Sequence, residues 1–225
     1  MLPERTLDIY LNFFEGIPME RPRPDTLRTA THAWAQARLE AACAAHSLGP
    51  LPPVQTGVHG KPSFGDTFPL HFNLSHSGAG AALAISDAPV GIDLEGGDGH
   101  RWEELSQRFF SPEERAFLDA QPVEARPKTF ILLWTCKESL YKYIGCGLSQ
   151  GLSRHRLQFD DTDADDTPAT DPAGLPRLKK VRASYEARTL YFYSRLVSYG
   201  NRLYRLTVCS PWQTDVYFNN ASSVS

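Results

Sequence analysis

The chain has no apolar run near the ~20 residues that a membrane-crossing helix needs, so no membrane partner is expected. Its start, Met1-Leu2-Pro3-Glu4-Arg5, lacks a basic stretch followed by an apolar one. That argues against a secretory signal and makes the cytoplasm the expected location. Cysteine is scarce: Cys43, Cys136, Cys146 and Cys209 form no C-x-x-C pair and no histidine cluster accompanies them. These spacings argue against a disulfide framework or a cysteine-based zinc site, and reduced, mostly buried thiols are expected. Strong charge of one sign is also missing, with 23 Lys and Arg against 26 Asp and Glu and a formal net charge of −3. Asp160, Asp161, Asp163, Asp165, Asp166 and Asp171 crowd one short stretch, leaving 23 basic against 20 acidic residues elsewhere. A mildly basic body with an acidic insertion can attract an acidic partner, but the excess is too small to argue for nucleic acid. Neither an internal repeat nor a long low-complexity tract is present.

What is present suits a folded chain: 225 residues, 41% hydrophobic and 11% aromatic, enough for a real core. Asp25 to His46 reads as a helix, with Leu27, Ala30, Trp34, Ala37, Leu39 and Ala41 as a rough apolar stripe, closed by Gly49-Pro50. Val54 to Gly60 is a short strand candidate, and Gly60-Lys61-Pro62 signals a turn. Phe72-Asn73-Leu74 reads as a strand broken by Ser75-His76-Ser77-Gly78, with Ala79 to Ser86 a second strand made of small residues. Asp87-Ala88-Pro89 turns the chain into Val90-Gly91-Ile92-Asp93-Leu94-Glu95. Trp102 to Phe109 is helical, Ser111-Pro112-Glu113-Glu114 has the signature of a helix start, and Arg126 to Ile144 is a further helix stopped by Gly145. Leu157 to Phe159 is short and extended, and the acidic stretch Asp160 to Pro176 reads as a flexible insertion. Val181 to Tyr193 and Arg202 to Cys209 alternate like hairpin strands, and Ser210 to Ser225 reads as a loose tail.

Chemistry concentrates in two segments. In a strand, Asp93 and Glu95 project to one face while Ile92 and Leu94 face the core. Two converging carboxylates repel and raise each other's pKa unless a cation lies between them. Oxygen donors without His or Cys favour Mg²⁺ over Zn²⁺. A solvated acidic strand end is the plain alternative for this pair alone. In the helix, Glu138 and Lys142 are four residues apart and share a face, with Lys137 beside them; a surface Glu–Lys pair is the plain alternative there. A third segment, Gly60-Lys61-Pro62 with Asn73-Leu74-Ser75-His76-Ser77, offers an amine, hydroxyls, an imidazole and turn amides, which suit a phosphate monoester. The plain alternative is an ordinary polar turn.

Taken in order, G-K-P-x-F at Gly60, F-N-L-S-H-S at Phe72, G-I-D-L-E at Gly91, F-F-S-x-x-E at Phe109 and W-x-x-K-E-x-x-x-K at Trp134 resemble the 4'-phosphopantetheinyl transferase superfamily, in its Sfp-type branch. The resemblance runs from about Val58 to Leu152. It implies an α+β fold, a pseudo-dimer of two similar halves, each a small antiparallel sheet packed with helices. The halves would be residues 1–90 on the nucleotide side and 91–210 with the acids and the W-x-x-K-E helix, followed by a flexible tail at 211–225. It also implies transfer of the phosphopantetheine arm of coenzyme A to a serine of an acyl, peptidyl or polyketide carrier protein, with release of 3',5'-ADP. Asp93, Glu95 and Glu138 would hold Mg²⁺ (or Mn²⁺), and Glu138 would also act as base toward the serine. Lys142 and Lys137 would meet the pyrophosphate. Ser75 and His76 would hold the 3'-phosphate side, and Lys61 with Pro62 would lie near the adenosine.

The family's glycine-arginine step in the first long helix is absent here. Arg21, Arg23 and Arg28 are the substitutes expected to contact the 3'-phosphate. The carrier would dock on Tyr143 to Arg156, including Leu148, Leu152, Arg154 and Arg156, with the acidic insertion pointing away. A monomer is expected. Two other readings stay open from the sequence: a Mg²⁺-dependent hydrolase of a nucleotide pyrophosphate, and a non-catalytic carrier-binding module of the same fold.

Overall fold

A computed structural model describes residues 7–15, 24–97, 101–146, 155–159, 177–212 and 217–220. The strands are β1 (Leu7–Phe13), β2 (Gln55–Thr56), β3 (Pro62–Ser63), β4 (His71–Ser77), β5 (Gly80–Ser86), β6 (Gly91–Gly96), β7 (Leu157–Phe159), β8 (Arg177–Tyr185), β9 (Arg188–Tyr199), β10 (Arg202–Ser210) and β11 (Tyr217–Asn220). The helices are α1 (Pro24–Ala45), α2 (Trp102–Phe109), α3 (Pro112–Asp119) and α4 (Arg126–Ile144). One sheet has the order β11-β1-β5-β4, a second β6-β10-β9-β8-β7, and β2 pairs with β3 alone. All pairings are antiparallel except that of β11 with β1. The fold is α+β, as expected.

The two sheets share a connectivity. In the first, β1 is followed by α1 and then a hairpin whose last strand, β5, returns antiparallel to β1. In the second, β6 is followed by helices and then by a hairpin whose last strand, β10, returns antiparallel to β6.

Side-chain alternation explains the layering. Leu7, Ile9 and Leu11 of β1, Ala82 and Ala84 of β5, Ile92 and Leu94 of β6, and Tyr204, Leu206 and Val208 of β10 form one core between the sheets. The opposite face of the first sheet, with Phe72, Leu83 and Ile85, packs on Ala35, Leu39 and Cys43 of α1. The opposite face of the second, with Ala183, Leu190 and Phe192, packs on Phe130, Leu133, Cys136 and Leu140 of α4. β5 is buried throughout because it is apolar toward both layers, which is the pattern of a strand covered on two sides.

Local signals hold where they were clear. Ser111 caps α3 with a reciprocal Glu114 bond, and Pro112 opens it; α4 spans Arg126–Ile144 and stops at left-handed Gly145. Three expectations are corrected. β4 does not break at Ser75 but runs on to Ser77, because its hydroxyls find partners on β6. The stretch expected as one strand from Val181 to Tyr193 is two, β8 and β9, turning at Glu186-Ala187 with φ of 48° and 61°. The expected loose tail contains β11, which pairs in parallel with β1. The acidic insertion lies outside the described residues. No described helix is long and apolar enough to cross a membrane, and all four cysteines are free, three of them buried.

Candidate active site

Gly91 determines how close α4 lies to β6. A Cβ there would collide with the carbonyl oxygen of Ser139 and stand 2.5 Å from the Tyr143 nitrogen. With no side chain in the way, the helix crosses directly over the strand. Ile92 and Leu94 point into the inter-sheet core, so Asp93 and Glu95 point to the face that α4 covers. The crossing brings Glu138 within electrostatic reach of both, although it is more than forty residues away in sequence.

The carboxyls feel one another. Glu95 is pushed up to about 7, chiefly by burial and next by the charge of Asp93, against the opposing effects of Ser77, Lys142 and the Gly96 amide. Glu138 is also pushed up to about 7, first by burial, then by Asp93, with Lys142 opposing and Glu95 adding. Asp93 is 4% exposed. Its Oδ1 accepts from Lys142 Nζ at 2.6 Å and from Ser75 Oγ at 2.9 Å, while its buried Oδ2 has no partner. Lys142 thus pairs with Asp93 across elements, and its Nζ also donates to Ser75 Oγ at 2.8 Å. Among the described residues no three His, Cys, Asp or Glu side chains stand close enough to hold an ion as they are. The donor chemistry nonetheless fits a hard divalent cation: three oxygen acids, one buried oxygen without a partner, and two glutamates whose charge is held back by burial and by neighbouring acids.

Other expected site residues lie elsewhere or have other partners. Ser75 is buried, and its hydroxyl donates to Asp93 while accepting from Lys142 and the Leu94 N–H at 3.2 Å. One donor and two acceptor positions are then used, so it has none left for a 3'-phosphate. His76, the next residue along the strand, is exposed. Lys137 is fully buried, and its Nζ donates to both oxygens of Glu114 at 2.8 Å. Burial pulls its pKa down and Glu114 pushes it back up. It ties α4 to the α3 cap instead of facing a pyrophosphate, a correction with a simple cause: adjacent helical positions point in different directions. Lys61 donates to the carbonyl oxygens of Tyr143 at 2.9 Å and Val90 at 3.3 Å. Burial lowers it to about 8. It caps the last turn of α4, where a cation is favoured, and Pro62 beside it is half-buried in β3. Arg28 is exposed on α1, 3.8 Å from Asp25. Arg21, Arg23, Leu148, Leu152 and Arg154 lie outside the described residues.

The sequence reading placed Asn73 and Ser77 in the phosphate-suited segment but missed that they bond β6 alongside Ser75. Their spacing of two was the available signal. It also missed a groove of about 570 Å³ that starts at Gly96-Gly97 and is lined by Ile131, Leu196, Arg202, Leu203 and Arg205.

The model of the 4'-phosphopantetheinyl transferase superfamily matches residues 89–209, from the turn before β6 almost to the end of β10. The chain is 41% identical over 120 residues to the 4'-phosphopantetheinyl transferase psf-1 of Bacillus pumilus, covering 52% of this chain and 51% of that protein. It is 41% identical over 102 residues to AcpT of Escherichia coli K12 (44% and 52%). It is 39% identical over 104 residues to Sfp of Bacillus subtilis 168 (46% and 46%). The chain spans about half the length of the curated relatives it matches. Because the matched residues include both β6 with its acids and α4 laid across it, the chain belongs to the 4'-phosphopantetheinyl transferase superfamily.

Proposed function

We propose that the protein transfers the 4'-phosphopantetheine arm of coenzyme A to a serine of a carrier protein and releases 3',5'-ADP. The observation that supports this reading is that Glu138 on α4 lies within electrostatic reach of Asp93 and Glu95 on β6, with Lys142 of the same helix bonded to Asp93. Asp93, Glu95 and Glu138 would hold Mg²⁺, or Mn²⁺ in its place. When bound, the ion supplies charge neutralisation at the pyrophosphate. Lys142 adds a second positive charge there and stabilises the departing ADP. The serine oxygen attacks the phosphorus that carries the pantetheine, the bond from that phosphorus to the bridging oxygen breaks, and the serine proton passes to Glu138. A carboxylate that engages a cation through one oxygen keeps the other for the proton.

We divide the chain into halves at about residue 90, which the shared connectivity of the two sheets supports. The carrier is taken to be an acyl, peptidyl or polyketide carrier domain, and the protein to act as a monomer. Four free thiols fit a reducing, cytoplasmic compartment.

The test is the intact mass of candidate carrier proteins after incubation with coenzyme A and Mg²⁺. A gain of one phosphopantetheine arm is the expected result. Release of phosphopantetheine into solution without a labelled carrier would point to hydrolysis, and no turnover with any carrier would remove the proposal.

A further inference from the structure

The two sheets meet at β4 and β6, and side chains bridge them. Asn73, Ser75 and Ser77 occupy alternate positions of β4, while Ile92, Leu94 and Gly96 occupy alternate positions of β6. The Ile92 N–H donates to Asn73 Oδ1 at 2.9 Å, the Leu94 N–H to Ser75 Oγ at 3.2 Å, and the Gly96 N–H to Ser77 Oγ at 3.0 Å. Each rung joins residues nineteen apart, so the strands run side by side in the same direction and in register. β6 is an edge strand, and its outward amides need partners. The β4 side chains act in place of a neighbouring strand's carbonyls.

Two of the rungs do more. The Ser75 hydroxyl donates to Asp93 Oδ1 at 2.9 Å, and the Ser77 hydroxyl donates to Glu95 Oε1 at 3.4 Å. Each serine therefore grips an acid and the amide of the next residue together, which fixes the carboxyl relative to its own backbone. Asn73 makes the same kind of rung, but it ends on an amide and touches no acid. The ladder thus contains its own internal comparison.

We infer that Ser77, together with Ser75, is a positioning residue: its hydroxyl bridges the Gly96 amide and the Glu95 carboxyl so that the two β6 acids are presented at a set spacing toward α4 and a divalent cation. This inference rests on the cation reading given above. A purely structural ladder would make all three rungs equivalent. A positioning role separates Ser77 from Asn73.

The experiment is direct Mn²⁺ binding to the full chain, read as loss of the free-ion EPR signal, with urea unfolding measured in parallel. Ser77→Ala is expected to weaken Mn²⁺ binding on the order of tenfold, as removal of a group orienting a ligand typically does. Ser77→Thr, which keeps the hydroxyl, is expected to restore most of it. Asn73→Ala is expected to lower the unfolding midpoint while binding Mn²⁺ like the wild type. If it does not fold, the Ser77→Ala and Ser77→Thr pair decides alone. Wild-type Mn²⁺ affinity in Ser77→Ala would overturn the inference, as would equal losses in Ser77→Ala and a folded Asn73→Ala. Asp93→Ala tells the two failures apart. If it binds Mn²⁺ as well as the wild type does, the cation reading falls and takes the inference with it. If it loses binding and Ser77→Ala does not, only the inference falls.

Discussion

Replacing Gly91 by alanine tests the link from packing to chemistry in a single methyl group. The glycine is not there for an unusual backbone angle, since it is absent from the residues with positive φ. It is there because its Cβ would occupy the backbone of α4: the carbonyl oxygen of Ser139 is overlapped outright, and the Tyr143 nitrogen would be 2.5 Å away where ordinary contact begins at 3.4 Å. Backbone cannot swing aside as a side chain does, so the helix must retreat by roughly 1–1.5 Å, at an overpacking cost of about 2–3 kcal/mol. The same retreat carries Glu138 away from Asp93 and Glu95. A displacement of that size costs on the order of 100-fold in rate when it separates groups that must act together. The assay is urea unfolding for the first quantity and, for the second, the rate of carrier mass gain with coenzyme A and Mg²⁺. Gly91→Ala should remain folded at 20 °C, lose stability by the amount stated and lose most of its turnover. A variant with wild-type stability and turnover would refute the claim that α4 is held against β6 by this contact.

Two further outcomes follow from the charges. Glu95 and Glu138 keep their protons to about pH 7 in the folded chain, against an ordinary value of 4.5, so the folded state binds more protons between these limits and stability falls as pH rises through that window. For one such group the difference is worth roughly 3 kcal/mol. Thermal unfolding from pH 5 to pH 8 without divalent ions should show a steeper decline for the wild type than for Glu95→Gln, and Mg²⁺ should flatten the wild-type curve; identical slopes would contradict the burial account. Lys137→Met leaves the fully buried Glu114 carboxyl without its lysine partner, a loss of about 3–5 kcal/mol visible in the urea midpoint, and Glu114→Gln in the same chain should recover part of it.

What could be read from the sequence divides along one physical line. Signals that depend on a residue and its chain neighbours were legible: the Ser111–Glu114 capping box, the Gly145 stop, and the alternation that buries Ile92 and Leu94 and turns Asp93 and Glu95 the other way. Signals that depend on a partner far along the chain were not. Ser75 and Ser77 read as turn formers, because serine usually satisfies itself locally; here β6 supplies better partners, and the strand continues. The Glu186-Ala187 turn has both residues in left-handed conformation without the Gly or Asn that advertises such a hairpin. The β11 pairing could not be seen in a segment whose partner, β1, lies at the other end of the chain.

Lysine shows the same division in one residue type. From the sequence, Lys137 and Lys142 are expected at the pyrophosphate and Lys61 near the adenosine, since an amine in a nucleotide-binding motif suggests little else. The fold gives them three different jobs. Lys61 is pulled onto the Tyr143 and Val90 carbonyls, where it satisfies acceptors at the end of α4 and links β3 to the second sheet. Lys137 turns away from its neighbour Glu138 and neutralises Glu114, whose Oε1 in turn holds the Leu157 amide. Only Lys142, four residues and one turn beyond Glu138, comes round to the acids and bonds Asp93. The first two lysines fix the end and the flank of α4, and the position of α4 decides whether Glu138 and Lys142 reach the β6 carboxyls. Two residues expected to touch the substrate therefore act on the site by holding the helix that carries it.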